Sequence, residues 1–173
     1  PNHLAGSIQG GQGGTGGALG AGGGSNGTVG LGGLGGVAIV GGGLTIVNDG
    51  TIAGGFASDG VTRANAIMFT SGINSLTIQS SSTISGNVIA VSGGTDTFAL
   101  GGAGNSSFNT SQIGAQFQNF ALFNKTGTDV WTLTGPPGQT TPWLISDGTL
   151  QADPAAHFFV APSPILVNQP GLF

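Results

Sequence analysis

Cysteine, tyrosine and glutamate are absent from this 173-residue chain, and lysine and arginine occur once each, at Lys125 and Arg63. Without cysteine there is neither a disulfide nor a thiolate metal site, so nothing covalent reinforces the fold. Two cations cannot neutralise the several phosphates on which nucleic-acid affinity rests, and the formal charge of -4 adds repulsion, so no nucleic-acid partner is expected. Charged residues make up 5% of the chain, against roughly a quarter of an ordinary globular domain. Solubility must therefore come from Ser, Thr, Asn, Gln and six Asp, not from helices coated with Lys and Glu. No apolar run approaches the ~18 to 20 residues of a membrane-spanning helix. No charged stretch precedes an apolar one at the start, and an opening at Pro1 instead of Met reads as a processed or excised piece. The length suits one domain.

What is abundant is glycine, with 37 residues, 20 of them before position 44. Runs such as GGQGGTGGALGAGGG (10–24) read as a low-complexity segment, 1–43, partly ordered as coils. Within it VAIV (37–40) reads as a strand, and Leu19, Val29, Leu31 and Leu34 are expected to point into a narrow core. From residue 44 the texture becomes alternation. LTIVNDGTIAGG (44–55) and LTIQSSSTISGN (76–87) share one frame, and LISDGTLQA (144–152) aligns with IVNDGTIAG (46–54). Further strand candidates are AIMF (66–69), NVIAV (87–91), TFAL (97–100), FQNFALF (117–123) and VWTLTG (130–135). Asp-Gly turns between alternating segments suit a hairpin meander. Recurrence of a unit too small to bury its own apolar side suits a solenoid, which the glycine-rich, charge-poor composition favours. Leu44, Ile46, Ile52, Leu76, Ile78, Ile84, Trp131 and Leu133, at alternate strand positions, are the expected core. The expected organisation is 1–43, a repeat region 44–152, and a Pro-containing tail 153–173 in which Pro162, Pro164 and Pro170 interrupt any long strand.

NKTGTDVWTLTG (124–135), followed by Thr140-Thr141 and ISDGTLQA (145–152), resembles the strand repeat of bacterial autotransporter passenger domains. Lys125, Gly127, Trp131, Leu133, Gly135, Gly148 and Leu150 occupy its positions, and LTIVNDGTIAGG resembles the Gly-Thr-Ile units of the same passengers. Asp129 stands where the pattern has a second glycine, and Pro136, Pro137 and Pro142 interrupt the spacer. The resemblance implies an all-β, right-handed parallel β-helix, on the order of five to eight coils by repeat length. It also implies a structural or adhesive role on a secreted or surface-displayed chain, carried across the outer membrane by a C-terminal barrel absent from these residues. An adhesion partner on another cell or in the matrix follows from that role. Lys125 and Asp129 are read as a solvated rim pair, and Gly127 and Gly135 as corners.

No catalytic, cofactor or metal site is expected. GQGGTG (11–16) and GGSNG (23–27) match nucleotide-loop and nucleophile-elbow patterns, but neither has the strand before and helix after that the chemistry needs. The histidines, His3 and His157, lie near opposite ends. A polysaccharide-active β-helix enzyme is the alternative from another class, and it would require three or more ionisable side chains converging on one face. The six Asp are spread along the chain at 49, 59, 96, 129, 147 and 153, with Asp49 and Asp147 in equivalent turns where Asp caps its own backbone. A degenerate calcium-binding β-roll is suggested by GGTDTFALGGAGNSSF (93–108), but Ser106 stands where an Asp ligand belongs.

Overall fold

The computed structural model describes residues 6–19, 28–136 and 141–153. Strand β1 (Ser7–Gln9) precedes a triplet of strands: β2 (Ile39–Gly41), β3 (Thr45–Asn48) and β4 (Thr51–Ala53). A second triplet is β5 (Ile67–Phe69), β6 (Ser75–Ile78) and β7 (Thr83–Ser85), and a third is β8 (Val88–Ile89), β9 (Thr97–Leu100) and β10 (Ser106–Asn109). After a single 3-10 turn, Thr110–Gln112, come β11 (Phe117–Gln118), β12 (Leu122–Lys125) and β13 (Val130–Thr134), then β14 (Trp143–Ile145) and β15 (Thr149–Ala152). Equivalent strands of successive triplets pair side by side. The sheets run β2-β5-β8-β11, β3-β6-β9-β12-β14, β1-β4-β7 and β10-β13-β15.

Every pairing between these strands is parallel. The turns at 48–50 and 146–148 therefore do not close hairpins, and the meander is excluded. A parallel pair needs a connection long enough to bring the chain back to the same edge, and each triplet supplies one. An isolated antiparallel bridge joins Phe56 and Arg63, where the Arg63 guanidinium lies 3.8 Å from the Phe56 ring centroid and donates to Gly54 O at 2.6 Å.

Alternation decides what each strand buries. Ile46, Leu76, Phe98, Phe123 and Trp143 stand in register, one per rung, and point inward, while Thr77 and Asn124 face away. Phe98 is the hub, with Phe108, Phe117, Phe120, Phe123 and Trp143 packed around it at centroid distances of 4.8 to 6.4 Å. Of the expected core, Ile52, Leu76, Ile78, Trp131 and Leu133 are buried, while Leu44, Ile46 and Ile84 are half-buried. Changing Ile78 to Asp puts an unpaired carboxylate among these rings, and a loss of several kcal/mol, about 3 or more, is expected in chemical denaturation. An unchanged midpoint would contradict the inward register.

The repeated frames align in sequence differently from the way they stack. Ile52 pairs Ile84, as the shared frame implies, but Ile46 pairs Leu76 instead of Ile78. The turn from β6 to β7 is two residues longer than the turn from β3 to β4, and an even shift preserves which side chains face inward. In the third copy the slip is by one residue. Trp143 takes the rung position and Leu144, aligned with Ile46 by sequence, is 46% exposed. The larger indole gains more from burial than leucine does.

In the glycine-rich segment, hydrogen bonds recur every three residues. Gly30, Gly33 and Gly36 N–H donate to Gly17, Gly14 and Gly11 O, so two stretches run antiparallel. Gly10 and Gly13 N–H reach Ala53 and Phe56 O, while Gly55 and Ser58 N–H reach Gly36 and Gly33 O. Three residues per turn is the period of polyproline II, and glycine every third residue allows such stretches to pack backbone on backbone. Leu19, Val29, Leu31 and Leu34 do not enter a core: they are 55%, 60%, 97% and 83% exposed. With one glycine in every three positions spent on backbone contact, the intervening side chains are turned outward.

Candidate functional site

Lys125 and Asp129 do not form a solvated pair. Phe123 faces inward, so Lys125, two residues further along the same strand, does too, in the column Asn48, Ile78, Leu100, Lys125, Ile145. Its side chain is wholly buried. The ammonium donates to Thr126 O at 2.7 Å, to Gly127 O at 2.8 Å, to Asp147 O at 3.3 Å and to Asp129 Oδ1. The other Asp129 oxygen accepts the Trp131 indole N–H at 2.7 Å. A buried ion is tolerable only when its hydrogen-bonding capacity is filled in this way. Gly127 and Gly148, at φ of 73° and 70°, stack above it, and a Cβ on Gly148 would stand 2.3 Å from Gly127 O and 2.8 Å from Lys125 Nζ. The motif Lys-x-Gly-x-Asp-x-Trp is thus a clip holding one corner of two successive rungs.

A second buried polar cluster closes the opposite end of the same strands. Asp96 is fully buried without a cation; Oδ1 accepts Asn74 N at 2.7 Å and Asn74 Nδ2 at 3.0 Å, and Oδ2 accepts Val91 N at 2.9 Å. Asn74 Oδ1 in turn accepts Leu44 N at 2.9 Å. The Asp of the roll-like stretch is therefore committed to tying three rungs together. Sequence reading passed over Asn74, whose position just before an alternating strand was its only signal.

One face of the structure is interrupted. β7 pairs β4 and β10 pairs β13, but β7 and β10 do not pair, although β6 and β9, and β5 and β8, pair across the same step. A cleft of about 150 Å³ lies over this break. Its walls carry Gln79, Ser80, Ser82, Ser106, Gln112 and Gln116, and its floor Ile84, Phe108, Phe117 and Trp131. Gln116 bridges the break by donating its amide to Ile84 O at 2.9 Å and Gly86 O at 3.0 Å, and it accepts Gln112 Nε2 at 3.2 Å. A side chain thus satisfies carbonyls that a neighbouring strand would otherwise have taken.

The remaining aspartates are dispersed. Asp49 accepts the Ser81 hydroxyl, not its own backbone, whereas Asp147 does cap its turn, accepting Gly148 N at 2.8 Å. On an exposed loop Asp59 is held below the usual carboxylate range, first by the Thr62 hydroxyl and then by the N–H groups of Val61 and Thr62. That stabilisation is present above the unfolded carboxylate pKa and is lost as pH falls through the folded value. Among the described residues no three His, Cys, Asp or Glu gather to hold a metal ion. His3, His157, GGSNG and 154–173 lie outside the described residues. No protein-family model, curated protein or solved structure matches the chain.

Proposed function

We propose that the chain is a length of right-handed parallel β-helix serving as a structural and adhesive passenger segment of a secreted or surface-displayed autotransporter, without catalysis of its own. The observation that carries this reading is the column Ile46, Leu76, Phe98, Phe123, Trp143, in which equivalent strands of successive triplets pair parallel and in register. Right-handedness follows from the preference of parallel crossover connections, right-handed in about 98% of cases. The passenger-like motif supports the reading because its positions form one physical unit: Lys125 fills the corner, Gly127 and Gly148 stack over it, and Trp131 pairs Leu150. Stacked rungs present a broad, charge-poor side surface at little cost in sequence complexity, which suits a presenting scaffold. The partner is another cell or matrix surface.

The test is display. Bacteria carrying this chain on an outer-membrane barrel should adhere to epithelial cells and to matrix-coated surfaces several-fold better than bacteria carrying the barrel alone. Equal adhesion at equal surface abundance would overturn the adhesive reading.

A further inference from the structure

We propose that the cleft between β7 and β10 binds one residue of a neutral glycan. The inference rests on the adhesive reading and deepens it by naming the ligand class. Three features of the cleft select that class. It has no charged side chain in its lining, so an ionic ligand would be desolvated without compensation. Its volume of about 150 Å³ is about that of a cavity holding a single six-membered ring. Its walls offer neutral donors and acceptors above an apolar floor, matching a pyranose, which carries hydroxyls at its rim and C–H groups on its faces.

The groups needed for recognition are available. Among the described residues the hydroxyls of Ser80 and Ser106 make no hydrogen bond, and the Gln112 amide spends one N–H on Gln116 and keeps its oxygen and a second N–H. A peptide strand is the competing occupant, because β7 and β10 are both unpaired on this side. The Gln116 amide already occupies Ile84 O and Gly86 O, the acceptors such a strand would need. A hydroxylated ring can use the side-chain groups and leave that bridge in place.

The probes are the methyl glycosides of glucose, galactose and mannose, titrated into the full chain while the side-chain amide resonances of Gln112 and Gln116 are followed. At least one glycoside should give saturable shifts at both amides, with a dissociation constant on the order of 1 mM for a single sugar residue. Ser106→Leu fills the cleft from a half-buried position and should weaken binding about tenfold or more, the worth of a lost hydrogen bond and lost space, with an unchanged melting temperature. Should that variant fail to fold, Gln112→Ala, an exposed side chain that bonds no backbone group, should weaken binding several-fold. Absence of saturable shifts with all three glycosides would overturn the proposal. So would shifts that survive Ser106→Leu, or a neutral extended hexapeptide that shifts the Gln116 amide when the sugars do not. Adhesion of displaying bacteria that persists in Ser106→Leu would remove the cleft from the adhesive surface and leave the passenger reading standing.

Discussion

Replacing Lys125 with methionine is expected to cost about 3 to 5 kcal/mol of stability, the largest effect of any single side chain outside the aromatic core. The variant leaves the Asp129 carboxylate buried with the Trp131 indole as its one remaining side-chain partner. It also strips a donor from Thr126 O, Gly127 O and Asp147 O. The double variant Lys125→Met/Asp129→Asn should be more stable than Lys125→Met alone, because it removes both charges and keeps an acceptor for the indole. Equilibrium denaturation of the four members of the cycle measures this coupling. If the Lys125→Met variant lost under about 1 kcal/mol, as exposed pairs do, the corner would be solvated after all.

The second large effect concerns two glycines of the same threefold segment with opposite expected signs. A Cβ on Gly35 would stand 2.1 Å from Gly55 O and 2.5 Å from Gly55 C, both rigid backbone. Gly35→Ala should therefore push the 33–36 stretch away from the 55–58 stretch at a cost of about 3 kcal/mol, overpacking of an unyielding kind. A Cβ on Gly14 meets nothing within 4 Å, and its φ lies outside the left-handed range. Gly14→Ala should be neutral or stabilise by about 0.4 to 1 kcal/mol, through the unfolded chain's lost freedom. Hydrogen exchange at Gly55 and Ser58 N–H, which donate to Gly36 O and Gly33 O, reports the difference: fast in Gly35→Ala, protected in Gly14→Ala. Equal protection in both variants would mean that the threefold contacts do not hold this segment.

Much of the β architecture was legible because strands leave a period-two signature. Alternation around 44–55, 76–87, 97–100 and 130–135 located strands close to their actual bounds, and it placed Trp131 and Leu133 inward. Glycine at 127, 135 and 148 marked corners because the backbone there takes positive φ. The same period held the clue to Lys125, two positions after Phe123, but charge overrode parity: lysine at the end of a strand suggests solvent. What made burial acceptable is a set of carbonyls and a carboxylate gathered from two rungs, including Asp147 from 22 positions away.

Composition and alternation by themselves determined that the chain is built of short β-strands without charge-coated helices, since both follow from local chemistry. Tertiary structure alone decided that the strands pair parallel across rungs, because a turn sequence such as Asn-Asp-Gly is compatible with either partner. It decided register as well, where a two-residue difference in turn length set Ile46 against Leu76 and the bulk of Trp143 turned Leu144 outward. It alone made the cleft, since the parting of β7 from β10 depends on the packing of rungs that no single strand encodes.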